Sequence, residues 1–182
     1  MEVYEAIEKR RSIRIFRQGV SEEQLRKIIL AGTKAPSAAN RQPWEFIIVD
    51  DQKIIDQLAE LKYQQNRRIP PQEGEGQGEV EQKALHQKKS FQNASIVAVC
   101  NQAGQSPGVW LCMENMSLAA VADGLGSVIV SYRDEYKEEV EKTLGIPEGY
   151  ELTAIMKFGV PGEESVAPQR RPEFSWLHKN RF

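Results

Sequence analysis

Apolar positions recur along this chain with two periods, and the switches between them mark out its elements. Val3, Ala6 and Ile7 stand at helical spacing, which predicts a short helix over residues 2–10 that ends at an arginine cluster. Ser21 and Gln24 make a capping-box pair, with Glu22 and Glu23 well placed in the first turn. Leu25, Ile28 and Ile29 then mark one face of a helix that closes near Gly32. Phe46 to Val49 is a short apolar run rich in β-branched residues and predicts a buried strand at 45–50. Behind it Ile54, Ile55, Leu58 and Leu61 return to helical spacing. Further strands are predicted at Ser95 to Asn101, Ser127 to Val130 and Leu152 to Phe158. Between them lie a strong helix over 109–123, with Met113, Met116, Ala119 and Ala120 on its apolar side, and another over 134–144. Gly145 stops that helix, as a left-handed cap favours. Helices alternate with strands, which predicts a sheet covered on both faces.

Two stretches fall outside this pattern. Residues 63–90 are almost wholly polar, with Pro70-Pro71 and glycines at 74, 76 and 78, and read first as an irregular, disordered surface insertion. The functional reading is a mobile cover over a site, since long loops in small domains often serve as lids. Gly162 to Phe182 is a polar tail with Arg170-Arg171-Pro172 and a late apolar group, Phe174, Trp176, Leu177 and Phe182. Such side chains need something to pack on, and a partner subunit is a natural candidate.

Composition narrows the classes. A chain of 182 residues is large enough for one domain with a real core. The net charge of −2 and a pI near 5.8 point neither to nucleic acid nor to an acidic membrane. Cys100 and Cys112 read as small buried hydrophobes rather than a disulfide framework. His86 and His178 lack metal-ligand spacing, so no metal site is expected. The start of the chain is charged and no apolar run approaches membrane-spanning length, so the expectation is a cytoplasmic protein.

The richest stretch for chemistry is Ala35-Pro36-Ser37-Ala38-Ala39-Asn40-Arg41-Gln42-Pro43-Trp44. Small side chains let a flat ligand approach the backbone, and Asn40 and Gln42 offer donors and acceptors for imide-like edges. Upstream, Arg10-Arg11-Ser12-Ile13-Arg14 suits an anion: Arg10, Ser12 and Arg14 have the donors for a phosphate monoester, although such clusters are usually solvated. A heterocycle site and an anion site together suggest a flavin nucleotide. The turn Gly124-Leu125-Gly126-Ser127 is no dinucleotide fingerprint, because it runs from helix to strand instead of strand to helix. Trp110 and the Met113/Met116 pair read as core or interface. No Ser-His-Asp or Cys-His set can be assembled, which fits chemistry carried by a cofactor.

The blocks Arg10-Arg11-Ser12-Ile13-Arg14-Ile15-Phe16 and Ala35 to Trp44 closely resemble the nitroreductase family of FMN-dependent oxidoreductases. Leu118-Ala119-Ala120 with the glycine turn, and Gly159-Val160-Pro161 before Arg170-Arg171-Pro172, follow in the family's order. The resemblance implies an α+β fold with a mixed, largely antiparallel central sheet flanked by helices. It also implies a homodimer whose C-terminal arm, 162–182, wraps the partner subunit, with FMN at the interface. Carried over by motif, Arg10 and Ser12 would hold the phosphate and Arg14 the ribityl and N1/O2 side of the ring, with Arg11 also among the cofactor-binding residues. Arg170 or Arg171 would complete the clamp. Pro36, Ser37, Ala38, Asn40 and, less directly, Gln42 would come from the opposite subunit. A backbone N–H around Val130 to Tyr132 would face N5; the family usually has glycine there, whereas this chain has Ser131-Tyr132, so Tyr132 is a candidate for shielding the ring, binding a substrate oxygen, or packing in the core. The implied reaction takes hydride from NADH or NADPH and passes electrons to a small acceptor such as a nitroaromatic or quinone. A reductive dehalogenase, a flavin-consuming enzyme or a non-enzymatic FMN-binding protein on the same fold are the alternatives.

Overall fold

Ser21 and Gln24 close the capping box that their spacing predicts. The Gln24 N–H donates to Ser21 Oγ at 3.2 Å and the Ser21 N–H to Gln24 Oε1 at 3.1 Å. The helix they open, Glu22–Gly32 (α2), follows a helix Val3–Lys9 (α1) and a strand Phe16–Gln18 (β1). Strand Trp44–Val49 (β2), helices Gln52–Arg67 (α3) and Gln77–Lys89 (α4), and strand Ser95–Gln102 (β3) come next. Helix Ser106–Ala122 (α5), strand Gly126–Val130 (β4), helix Asp134–Leu144 (α6) and strand Tyr150–Pro161 (β5) complete the order. This computed structural model describes residues 1–182, the side chain of Ser106 excepted.

The long strand β5 organises the sheet. The path runs β1-β5-β3-β2, with β4 also on β5, and all four ladders are antiparallel. The parallel component of the expected mixed sheet is confined to one bridge, Ser12 to Ser127. Alternation along β3 sends Ile96, Ala98 and Cys100 to one face and Val97 and Val99 to the other. Leu58 of α3 and Val140 of α6 cover the first face; Ile28 of α2 and Met113 and Met116 of α5 cover the second. Both faces are covered, as the alternation of elements implies. Burying each such side chain contributes about 1.5–3 kcal/mol before entropy is counted. Cys100 and Cys112 are free and buried in these layers. Burial pushes their thiols up to about 11 and about 12, values that leave them protonated and inert near neutrality.

Residues 63–90 depart from the expected irregular insertion. Their first part finishes α3 and their last part forms α4, leaving only a short irregular link over 68–76. Val80 and Ala84 bury one narrow stripe of α4. Charge pairs tie the rest: Arg67 Nε lies 2.8 Å from Glu81 Oε2 and Lys88 Nζ 2.6 Å from Glu60 Oε2. Two small apolar residues four apart are a weak periodic signal in a polar run, so the helix is hard to read from sequence. The apolar face read for α1 is also largely uncovered: Ala6 is buried, whereas Val3 and Ile7 are exposed. Beyond Gly162 the chain forms turns without helix or strand, and Phe174, Trp176, Leu177 and Phe182 stand exposed. No helix among the described residues is long and apolar enough to cross a membrane.

Candidate functional site

Arg10 closes α1, its N–H donating to Ala6 O at 2.9 Å, and the chain then runs extended towards β1. Ile13 anchors this segment. It is buried, and its N–H donates to Ser127 O at 3.0 Å. Its side chain lies on Gly126, where an added Cβ would come within 2.7 Å of Ile13 Cγ1. Gly126 is therefore required for close packing. With Ile13 turned inward, Arg10, Ser12 and Arg14 border a cavity of about 420 Å³, together with Arg11, Glu163, Glu164 and Arg170. Arg171 does not border it.

The charges in this cavity are partly engaged. Arg10 Nε lies 3.3 Å from Glu114 Oε1 of α5, and Arg11 Nη1 donates to Glu8 O at 2.6 Å and Arg10 O at 2.8 Å. Glu163 Oε1 accepts the N–H groups of Arg14 at 2.5 Å and Ile15 at 3.2 Å, which ties the start of the tail to the entry of β1. Four guanidinium groups face two carboxylates, one of them already occupied by backbone donors. The surplus is positive, and planar arginine donors beside a serine hydroxyl suit a phosphate.

The loop before β2 is built differently. Ala39, Asn40 and Gln42 hold left-handed backbone, at φ of 49°, 53° and 49°. Ser37 Oγ accepts the Gln42 N–H at 2.9 Å and pins the turn. For Ala39 and Gln42 such backbone costs roughly 1–2 kcal/mol each, and strain of this kind concentrates at binding sites. Pro36, Ser37 and Ala38 border a cavity of about 400 Å³ with Pro43 and Gly108, whereas Asn40 and Gln42 lie outside its lining. Replacing Ala39 with glycine is expected to stabilise the ligand-free protein by about 1 kcal/mol, read as a raised urea midpoint. A lowered midpoint would show that the Ala39 methyl group packs usefully despite its backbone.

The arginine cavity and the loop cavity share no lining residue, so one chain does not join them. Arg14 does join the arginine cavity to a third space of about 790 Å³ beneath the α3–α4 pair, bordered by Asn66, Ile69, Val80, Ala84 and Gln87. Val130, Ser131 and Tyr132 border none of these three spaces. The Tyr132 phenol turns into the core and donates to Leu58 O at 2.7 Å, so a ligand-facing Tyr132 is corrected to a packing residue. The reason is local: Ser131 is held by its carbonyl, which accepts from Lys62 Nζ at 2.8 Å, and the next side chain falls on the core side.

Two buried lysines escaped the sequence reading. Lys62 of α3 and Lys157 of β5 are both buried, and their only signal is a lysine at an inward position of an otherwise apolar pattern. Burial, reinforced by Arg133, pushes the Lys62 ammonium down to about 8.

The chain matches the family model described as the Nitroreductase family over residues 7–160. An NADH dehydrogenase of Thermus thermophilus is 30% identical over 184 residues, covering 90% of this chain and 89% of that protein. An iodotyrosine deiodinase of Thermotoga neapolitana is 28% identical over 173 residues, covering 88% of this chain and 89% of its own length. Among solved structures, an oxidised iodotyrosine deiodinase bound to FMN and 3-iodo-L-tyrosine superposes with a TM-score of 0.83 over 100% of both chains, at 24% identity. At that identity the match speaks for the fold alone. The family match spans the arginine cluster, the strained loop and the whole sheet up to Val160. In fold, in the order of its motifs and in sequence, the chain belongs to the nitroreductase family.

Proposed function

We propose that the protein is an FMN-dependent oxidoreductase that takes reducing equivalents from NADH or NADPH and delivers them to a small acceptor, a nitroaromatic or quinone in the first instance. One observation carries the reading: Arg14 joins an arginine-serine anion cavity to a larger space roofed by α4, a layout with a phosphate end and a ring end. Bound FMN would supply the redox chemistry, accepting hydride at N5 and returning electrons to the acceptor. The protein's part is binding and electrostatics. Arg10, Ser12 and Arg170 would hold the phosphate, and the Arg14 guanidinium would stand at the junction, where it favours negative charge on the ring. Pro36, Ser37, Ala38 and Asn40 would complete the site from a second copy, since one chain leaves the two cavities apart. The exposed tail side chains give that second copy a surface to grip. The α4 cover, through the link 68–76, would tune acceptor choice more than flavin binding.

Anaerobic addition of NADH or NADPH to the FMN-loaded protein tests the reading. Bleaching of the flavin absorbance within seconds, followed by recovery on adding a nitroaromatic or quinone, is the expected result. Binding of FMN without bleaching by either nucleotide would identify a flavin-binding protein that is not a nicotinamide oxidoreductase. A second reading, reductive removal of halogen from an aromatic amino acid, draws on the deiodinase relative and on the roofed cavity. Iodide release from 3-iodotyrosine by the dithionite-reduced protein would favour it.

A further inference from the structure

Glu163 places a carboxylate on the border of a cavity suited to an anion, where its charge opposes that of a phosphate. The local fold gives a reason for it. β5 ends at Pro161, paired with Phe16 of β1, and the Gly162 N–H donates to Ile15 O at 2.8 Å. An added Cβ at Gly162 would lie 3.1 Å from Ile15 Cγ2, so the two segments cross with little room between them. Directly after the crossing, Glu163 Oε1 accepts the successive N–H groups of Arg14 and Ile15, at 2.5 and 3.2 Å. Backbone donors on a carboxylate oxygen form charge-assisted hydrogen bonds, which are stronger than neutral ones. Glu163 is therefore a clasp between the tail and the segment that carries the arginine cluster.

The clasp has no successor before Arg170. From Glu164 to Arg171 the chain forms neither helix nor strand, and among the described residues no hydrogen bond joins this stretch to the rest of the fold. Arg170 nonetheless borders the same cavity as Arg10, Ser12 and Arg14. Fixing the start of such a stretch before a ligand arrives reduces the ordering cost of binding. Glu164 also borders the cavity, yet it is exposed and has no hydrogen-bond partner among the described residues. Two adjacent carboxylates thus differ in kind: one holds backbone, the other only adds charge.

We propose that Glu163 is a positioning residue of the phosphate site, whose clasp on Arg14 and Ile15 sets the course of the tail that brings Arg170 to Arg10 and Ser12. This role rests on the reading of the cavity as the FMN phosphate site. Fluorescence titration with FMN separates a clasp from a bare charge, because the two have opposite signs. Glu163→Ala is expected to weaken FMN binding at least about tenfold, although it removes a negative charge from the cavity. Glu163→Gln, whose amide oxygen still accepts both N–H groups, should stay within about threefold of wild type. Glu164→Ala, which removes charge alone, should bind FMN as tightly as wild type or more tightly. In an Arg170→Ala background the Glu163→Ala effect should fall below about threefold, since an absent side chain has no position to lose. The β5 pairing and the Gly162–Ile15 bond remain in every variant. Glu163→Asp, which keeps the charge and shortens its reach, should weaken FMN in the same direction and serves where Glu163→Ala does not fold. FMN binding to Glu163→Ala at or above wild-type affinity would overturn the role, as would an undiminished effect in the Arg170→Ala background. Wild type that binds no FMN would overturn the reading of the site, and this role with it.

Discussion

A chain ending at Pro172 is expected to dissociate into monomers and to lose at least about 100-fold in FMN affinity. Phe174, Trp176, Leu177 and Phe182 are 66%, 51%, 64% and 108% exposed, and all lie beyond that cut. Covering them on a second copy would supply roughly 5 kcal/mol, from about 1.5–3 kcal/mol for each side chain fully buried. The cut leaves Glu163 on the N–H groups of Arg14 and Ile15, and it retains Arg170 on the arginine cavity. Any loss of FMN then reflects the missing half of the site and not damage to the clamp. Sedimentation at low micromolar concentration and a fluorescence titration with FMN provide the two readouts. A dimer of undiminished stability, or a monomer with full FMN affinity, would contradict the shared site.

Arg10→Ala should weaken FMN binding by about 1.5–3 kcal/mol, the range for a hydrogen bond to a charged group. The fold should barely register the change. Arg10 pairs with Glu114 at 3.3 Å with half of the glutamate exposed, and ion pairs so open to solvent contribute little to stability. The same titration in high salt should narrow the difference between variant and wild type, because screening weakens the charge interaction that the variant lacks. Unchanged affinity in a folded Arg10→Ala protein would remove Arg10 from the clamp. Arg14 and Arg170, which also border the cavity, would then have to carry the phosphate.

Much of the fold was legible because its signals are local. The Ser21–Gln24 cap, the glycine at 145 and the alternating run Ile96 to Cys100 each depend on neighbours within a few residues. The loop at 36–42 was also recognisable by composition, although its three left-handed residues were not. α4 was missed because its stability comes from docking Val80 and Ala84 and from ion pairs to α3, and those partners are distant in sequence.

The sequence by itself determined the order of the elements apart from β1 and α4, the two-faced sheet and a set of arginines and small polar residues suited to a flavin nucleotide, since periodicity, caps and side-chain chemistry are written residue by residue. Tertiary structure alone decided which of these residues meet. It brought Arg170, and not Arg171, to the Arg10 and Ser12 cavity, turned Tyr132 into the core beside Leu58, and placed Lys157 under Ser90 and Phe91. Each of those outcomes depends on register and crossing between elements far apart in the chain, where a shift of one residue moves a side chain from one face of the sheet to the other.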